Sequence, residues 1–148
     1  MRPEYLSSPE ALDSFLHCFE ARILPKAEWT HAAHVAAAAY YLHGSSVASV
    51  LPLMRARISA FNLAVGGANT PTSGYHETLT HLWLLIVAEF LRQNPPASKL
   101  AAARHAVATF GEARALHTLY YSGDVVQDSA ARRAWRAPDL LPIPNPEA

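Results

Sequence analysis

Apolar residues recur along most of this chain at the three- and four-residue spacing of a helix, and the breaks between these stretches carry proline, glycine and capping side chains. Ser7-Ser8-Pro9-Glu10 combines a serine cap, an early proline and an acid at the positive end of the helix dipole, which predicts a first helix running to about Arg22. Leu24-Pro25 interrupts it. Thr30 then caps a second, alanine-rich helix that extends to His43 and stops at Gly44. A third helix is predicted over Val47–Val65, with Pro52 either near its first turn or marking a kink, and Gly66-Gly67 closes it.

The stretch GGANTPTSG is the strongest loop signal, and Tyr75–Gln93 after it reads as the most hydrophobic helix, placed at the centre of the fold. Asn94-Pro95-Pro96 breaks the chain before Ser98, the cap of a fifth helix reaching Phe110. Shorter helical pieces follow through Leu119 and around Asp128–Trp135. The tail from about residue 137 has four prolines in PDLLPIPNPEA and is expected to be extended, either draped over the helices or disordered. The pattern as a whole predicts an all-α, single-domain bundle over residues 1–148, with four main helices, short C-terminal helices and a proline-rich tail.

Composition supports this picture. The 148 residues are 51% hydrophobic, much of it alanine, and 9% aromatic, which favours closely packed helices over sheets. Twelve basic residues balance twelve acidic ones, so no overall field draws the chain to nucleic acid or an anionic membrane. Cys18 is the only cysteine, which rules out an internal disulfide and any multi-cysteine metal site and fits a reducing cytosol. The N-terminus lacks the basic patch and apolar run of a signal peptide. The longest apolar stretch, Leu82–Leu91, is interrupted by Glu89 and is about half the ~20 residues needed to span a bilayer. A cytoplasmic protein without a membrane anchor is the expectation.

Candidate chemistry comes from the histidines. At ~100° per residue, His31, His34, Val35, Ala38, Tyr41 and Leu42 share one arc of the second helix, whereas His43 falls on the other side and reads as a solvated C-terminal residue. On the following long helix Tyr75, Leu79, Leu82, Trp83, Ile86 and Phe90 share a face with His76 at its margin; His81 lies ~140° from His76 and is expected at the surface. Each inward imidazole loses hydration, and a buried polar group without a partner costs ~1–3 kcal/mol. A divalent transition metal (zinc, iron, nickel or copper) held by His31, His34 and His76 is one common partner. Hydrogen bonds to tyrosine, threonine or backbone carbonyls are the alternative.

Glu77 is a candidate proton carrier for a metal-bound water, or else a first-turn acid that stabilises the helix dipole. Tyr75 and Thr80 are candidates for contacting a substrate, although Thr80 can equally bond its own backbone. Arg55 and Asn62, seven residues apart, lie on nearly one line of their helix and can clamp a carboxylate or phosphate; an exposed arginine among polar neighbours is the plainer reading. Tyr120-Tyr121-Ser122 and Arg132, Arg133 and Trp135 suggest a lid or a docking site for the tail. There is no GxSxG elbow, GxGxxG, phosphate loop or HExxH.

The segments Glu28-Trp29-Thr30-His31-Ala32-Ala33-His34, Asn69-Thr70 and Gly74-Tyr75-His76-Glu77-Thr78-Leu79-Thr80, with Tyr120-Tyr121-Ser122, Ala131-Arg132 and Pro138-Asp139-Leu140, resemble a group of small bacterial helical proteins with no assigned activity. That resemblance spans most of the chain and implies a shared fold and site without naming a reaction. The chain is more loosely similar to bundles of the DinB type, which set three histidines around a metal on neighbouring helices, although their usual HxxxH spacing is absent here.

Three functions follow as expectations. The first is a metal-dependent enzyme on a small molecule, with hydrolysis, lyase or isomerase chemistry and oxygen activation all open. The second is a metal-free module that binds a small amphipathic ligand. The third is an interaction subunit, a possible homodimer, in which the alanine-rich second helix packs against another protomer.

Overall fold

The computed structural model describes residues 1–144. Five helices of twelve or more residues form the body: α1 (Pro9–Glu20), α2 (His31–Leu42), α3 (Val47–Ala64), α4 (Glu77–Gln93) and α5 (Lys99–Phe110). A 3-10 segment, Arg114–Leu119, and a short α6 (Ser129–Arg133) complete the C-terminal part, and no β-strand occurs among the described residues. The all-α bundle stands. Its body has five full-length helices where the pattern led us to expect four, because α5 is as long as α1 and α2 and packs along α2.

The capping side chains act as their chemistry dictates. Ser8, Thr30, Ser46 and Ser98 each accept a hydrogen bond from the backbone N–H three residues on, satisfying one of the amides that a helix start leaves without a partner. Gly44 ends α2's exit with φ +76, a conformation that costs glycine nothing. Pro52 lies in the second turn of α3 rather than the first, and the helix runs through it. The loop before α4 differs from expectation: the helix starts at Glu77, and His76 is its N-cap.

The alanines of α2 explain the tight centre. Ala33, Ala36, Ala37 and Ala39 have no exposed surface, and neither do Ala102, Ala103 and Ala106 of α5. Methyl-sized side chains let two helix backbones approach closely. The face on which a second protomer was expected to dock is therefore covered inside the chain. A larger core joins α1 to α5, and Leu82, Ile86, Tyr121, Val125 and Ala131 form a smaller one beneath the C-terminal part.

That C-terminal part is stapled to α4 by Thr78, which is fully buried. Its hydroxyl donates to Ala134 O at 3.0 Å and accepts from Arg136 N at 3.0 Å. The Tyr121 hydroxyl donates to Arg136 O at 2.6 Å, and the backbone amides of Asp139 and Leu140 both reach Tyr120 O. The start of the proline-rich tail thus lies draped over the helices; its last residues, 145–148, fall outside the described ones. No helix among the described residues is long and apolar enough to cross a membrane.

Replacing Thr78 by valine keeps the shape and leaves Ala134 O and Arg136 N unsatisfied. We expect Thr78→Val to lose ~1–3 kcal/mol in denaturant unfolding, and Thr78→Ser to lose markedly less.

Candidate functional site

The body helices leave between them a cavity of about 480 Å³. Its apolar wall is made by Val35, Ala38, Met54, Ile58 and Leu84, drawn from α2, α3 and α4. Two tryptophans flank this wall. Trp29 stacks on Phe19 with ring centroids 4.1 Å apart and meets His34 at a tilt of 37°, also at 4.1 Å, so an aromatic column runs from the core to the cavity. Trp83 meets the His31 ring edge-on at 4.7 Å.

The three histidines picked out by the sequence all line this cavity, with Asn62, Tyr75 and Thr80. Their ring nitrogens are disposed by backbone carbonyls, which can only accept, so each bonded nitrogen carries the proton. His34 Nδ1–H donates to Thr30 O one turn back, at 2.7 Å, leaving Nε2 as a lone-pair acceptor. His31 Nε2–H donates to Phe110 O at 3.0 Å across the α2–α5 contact, leaving Nδ1 as the acceptor.

His76 is arranged differently. Its Nδ1 accepts from Leu79 N at 3.2 Å as the cap of α4, and its Nε2–H donates to Val125 O at 2.8 Å. Both nitrogens are used by the fold, so a metal at His76 would have to displace the helix cap or break the link to Val125. Among the described residues, no group of three or more His, Cys, Asp or Glu side chains is assembled to hold a metal ion.

Glu77 and Arg55 do not line the cavity. They face each other behind Tyr75, with the guanidinium gripping the carboxylate through Nε at 2.9 Å and Nη2 at 2.8 Å. The Tyr75 hydroxyl adds a third donor at 2.7 Å. The arginine chiefly, opposed by partial burial, holds the Glu77 carboxyl below its usual range, and a carboxylate engaged in this way is a weak base. The pair steadies Tyr75 in the cavity wall. Asn62 is in the wall but is tied to Asn69 Oδ1 at 3.0 Å.

Asn69 organises the loop that delivers Tyr75 and His76. Its amide donates to Ser59 O at 3.0 Å, and its oxygen accepts from both Asn62 and Tyr75 N. Gly74 passes beside it at φ +84, where an added Cβ would lie 2.1 Å from Ala68 O. His81, expected at the surface, is half-buried instead: its ring lies tilted against Trp135 at 4.3 Å and its Nδ1 is buried without a partner. The C-terminal part, folding back over α4, covers a face that the helical wheel alone leaves open.

Three cationic or titratable side chains complete the cavity from the C-terminal part: Arg114 and His117 on the 3-10 segment, and Arg132 on α6. Arg132 is held by Gly74 O at 2.7 Å and Val126 O at 3.1 Å. His117 donates from Nδ1 to Arg114 O at 3.1 Å. The sequence pattern singles out Arg132 only within a lid or a docking site for the tail and does not reveal the other two, because a short 3-10 turn carries no periodicity from which a facing direction can be read. The Trp29 indole N–H is buried with no acceptor.

Loss of hydration is the first cause that lowers the pKa of His31, His34 and His76; for His34 the value falls to about 4 from 6.5. These rings are neutral in the folded chain, whereas the unfolded chain takes up their protons near pH 6.5. Protons are therefore bound on unfolding, and stability present at neutral pH is lost as the pH falls from 6.5 towards 4. Denaturation midpoints measured across that window should drop, and His34→Gln should flatten the dependence.

Replacing Gly74 by alanine combines a left-handed φ with a backbone clash. It should destabilise the fold by ~2 kcal/mol or more and displace the Tyr75–His76 wall, read as altered tryptophan emission.

No family model, curated protein or solved structure matches the chain significantly, so the functional reading rests on the geometry of this cavity.

Proposed function

We propose that the protein binds a small amphipathic molecule in the cavity between α2, α3 and α4. The observation that carries the reading is the make-up of the wall: one apolar side of Val35, Ala38, Met54, Ile58 and Leu84, and a rim of fixed polar groups. Small-molecule sites combine an apolar surface for affinity with a few placed polar atoms for orientation, in volumes of roughly 300–1,000 Å³. At ~30 Å³ for each water-sized group, the space suits a molecule of roughly sixteen heavy atoms. The lone pairs of His31 Nδ1 and His34 Nε2 are without protein partners and can be satisfied by such a ligand.

A second reading, a transition-metal centre, draws on those same two imidazole lone pairs; water or substrate would supply the remaining positions. Its enzyme form, a hydrolase, lyase, isomerase or oxygenase, needs a base other than the arginine-bound Glu77.

Ligand-observed NMR with a panel of aromatic and aliphatic fragments of up to about a dozen heavy atoms tests the first reading. Fragments should bind the wild type and bind more weakly to Ala38→Leu, which pushes three further carbon atoms into the apolar wall, with circular dichroism confirming that the variant is folded. Binding that persists unchanged in the folded variant places the ligand elsewhere. Elemental analysis of protein purified without added metal decides the second: the ligand-binding reading expects well below one equivalent of transition metal. A stoichiometric ion lost in the His31→Ala/His34→Ala variant moves the assignment to a metal centre.

A further inference from the structure

Resting on the ligand-binding reading, we infer that the molecule this cavity takes is an organic anion, its acidic group held by Arg114 and Arg132 and its apolar body against α2, α3 and α4. The first observation is what the wall lacks. Its residues include two arginines and four histidines but no aspartate or glutamate.

The second observation is how the chain treats its other arginines. Arg2, Arg55, Arg57, Arg92 and Arg136 each meet a carboxylate at 2.7–2.9 Å. Arg22 and Arg133 stand exposed to solvent, and Arg104, also exposed, donates to Leu6 O at 2.8 Å and Ser7 O at 3.1 Å. Arg114, exposed on its outer side as well, and the partly buried Arg132 line a cavity, and among the described residues neither has an acidic partner. Arg132 is not free to seek one, because Gly74 O and Val126 O fix the guanidinium in place while leaving other N–H donors unused. The guanidinium is thus positioned in advance for a planar oxyanion.

A third observation is that the arginines act on the wall itself. Beyond the loss of hydration, Arg114 opposes protonation of His31 and Arg132 opposes protonation of His76, where Asp128 acts in the opposite sense. Charges of one sign beside low-dielectric walls focus their field into the cleft and draw in a ligand of the opposite sign. The α2 wall asks for the reverse polarity. The lone pairs of His31 Nδ1 and His34 Nε2 accept hydrogen bonds and donate none while these rings are neutral. An acid carrying a hydroxyl or amide N–H away from its carboxylate meets both demands.

Three probes with one apolar body separate charge from shape: 4-phenylbutyrate, 4-phenylbutanol and 4-phenylbutylamine, each titrated calorimetrically into the full chain at neutral pH. The expected order is acid, then alcohol, then amine, with the acid alone weakened by added salt. The Arg114 side chain forms no hydrogen bond among the described residues, so Arg114→Gln should leave folding intact. It should weaken the acid about tenfold, the loss of one charge-assisted hydrogen bond, and leave the alcohol unchanged. Equal binding of acid and alcohol, or an Arg114→Gln variant that binds the acid normally, overturns the anion assignment while the ligand-binding reading stands. No heat from any of the three at millimolar concentration overturns both.

Discussion

An imidazole withdrawn from water must place its N–H on an acceptor, and in this protein the acceptors are backbone carbonyls: Thr30 for His34, Phe110 for His31 and Val125 for His76. The consequence is larger than three satisfied donors. Each bond selects one tautomer and one ring orientation, and each ties a different part of the chain to the cavity wall. The bond from His31 reaches the end of α5; the bond from His76 reaches the C-terminal part. The cavity and the packing around it therefore hold together through the same few polar contacts, in an interior where an unmade one is costly.

The cavity persists because the rest of the interior is filled so closely. Alanines let α2 and α5 come together, which sets α2 at the middle of the bundle. The larger side chains of α3 and α4 then meet it with the tryptophan rings at the margins. Trp29 closes one side by packing between Phe19 and His34, and Trp83 closes another between His31 and Phe110. Rings of this size cannot collapse into the remaining volume without leaving their partners, so the space stays open to a ligand.

Helix periodicity carried far in the sequence because most of the fold is long helix. The caps at Ser8, Thr30 and Ser98, the stop at Gly44 and the inward faces of His31 and His34 are local properties, readable from spacing and side-chain chemistry alone. What could not be read was tertiary. His76 belongs to α4 on a helical wheel, yet it is the cap whose ring bridges to Val125, forty-nine residues away. His81 faces outward on α4, but Trp135 folds back to cover it. Glu77 follows a histidine in sequence and looks like its chemical partner. In space it belongs to Arg55, because a bidentate guanidinium within reach outcompetes any neighbour that offers a single bond.

The same distinction bears on how a cluster of histidines should be read. Three imidazoles near one cavity suggest a metal only if each has a lone pair to give, and that depends on where the protons sit. A ring bonded to one carbonyl retains a lone pair; a ring that also caps a helix has none. By this count His31 and His34 keep their acceptors and His76 does not. Two lone pairs facing a space ringed by Arg114, His117 and Arg132 form a surface with separate places for an acceptor and a donor of hydrogen bonds. Such a division orients a bound molecule end to end, and orientation is what a recognition site needs before any question of chemistry arises.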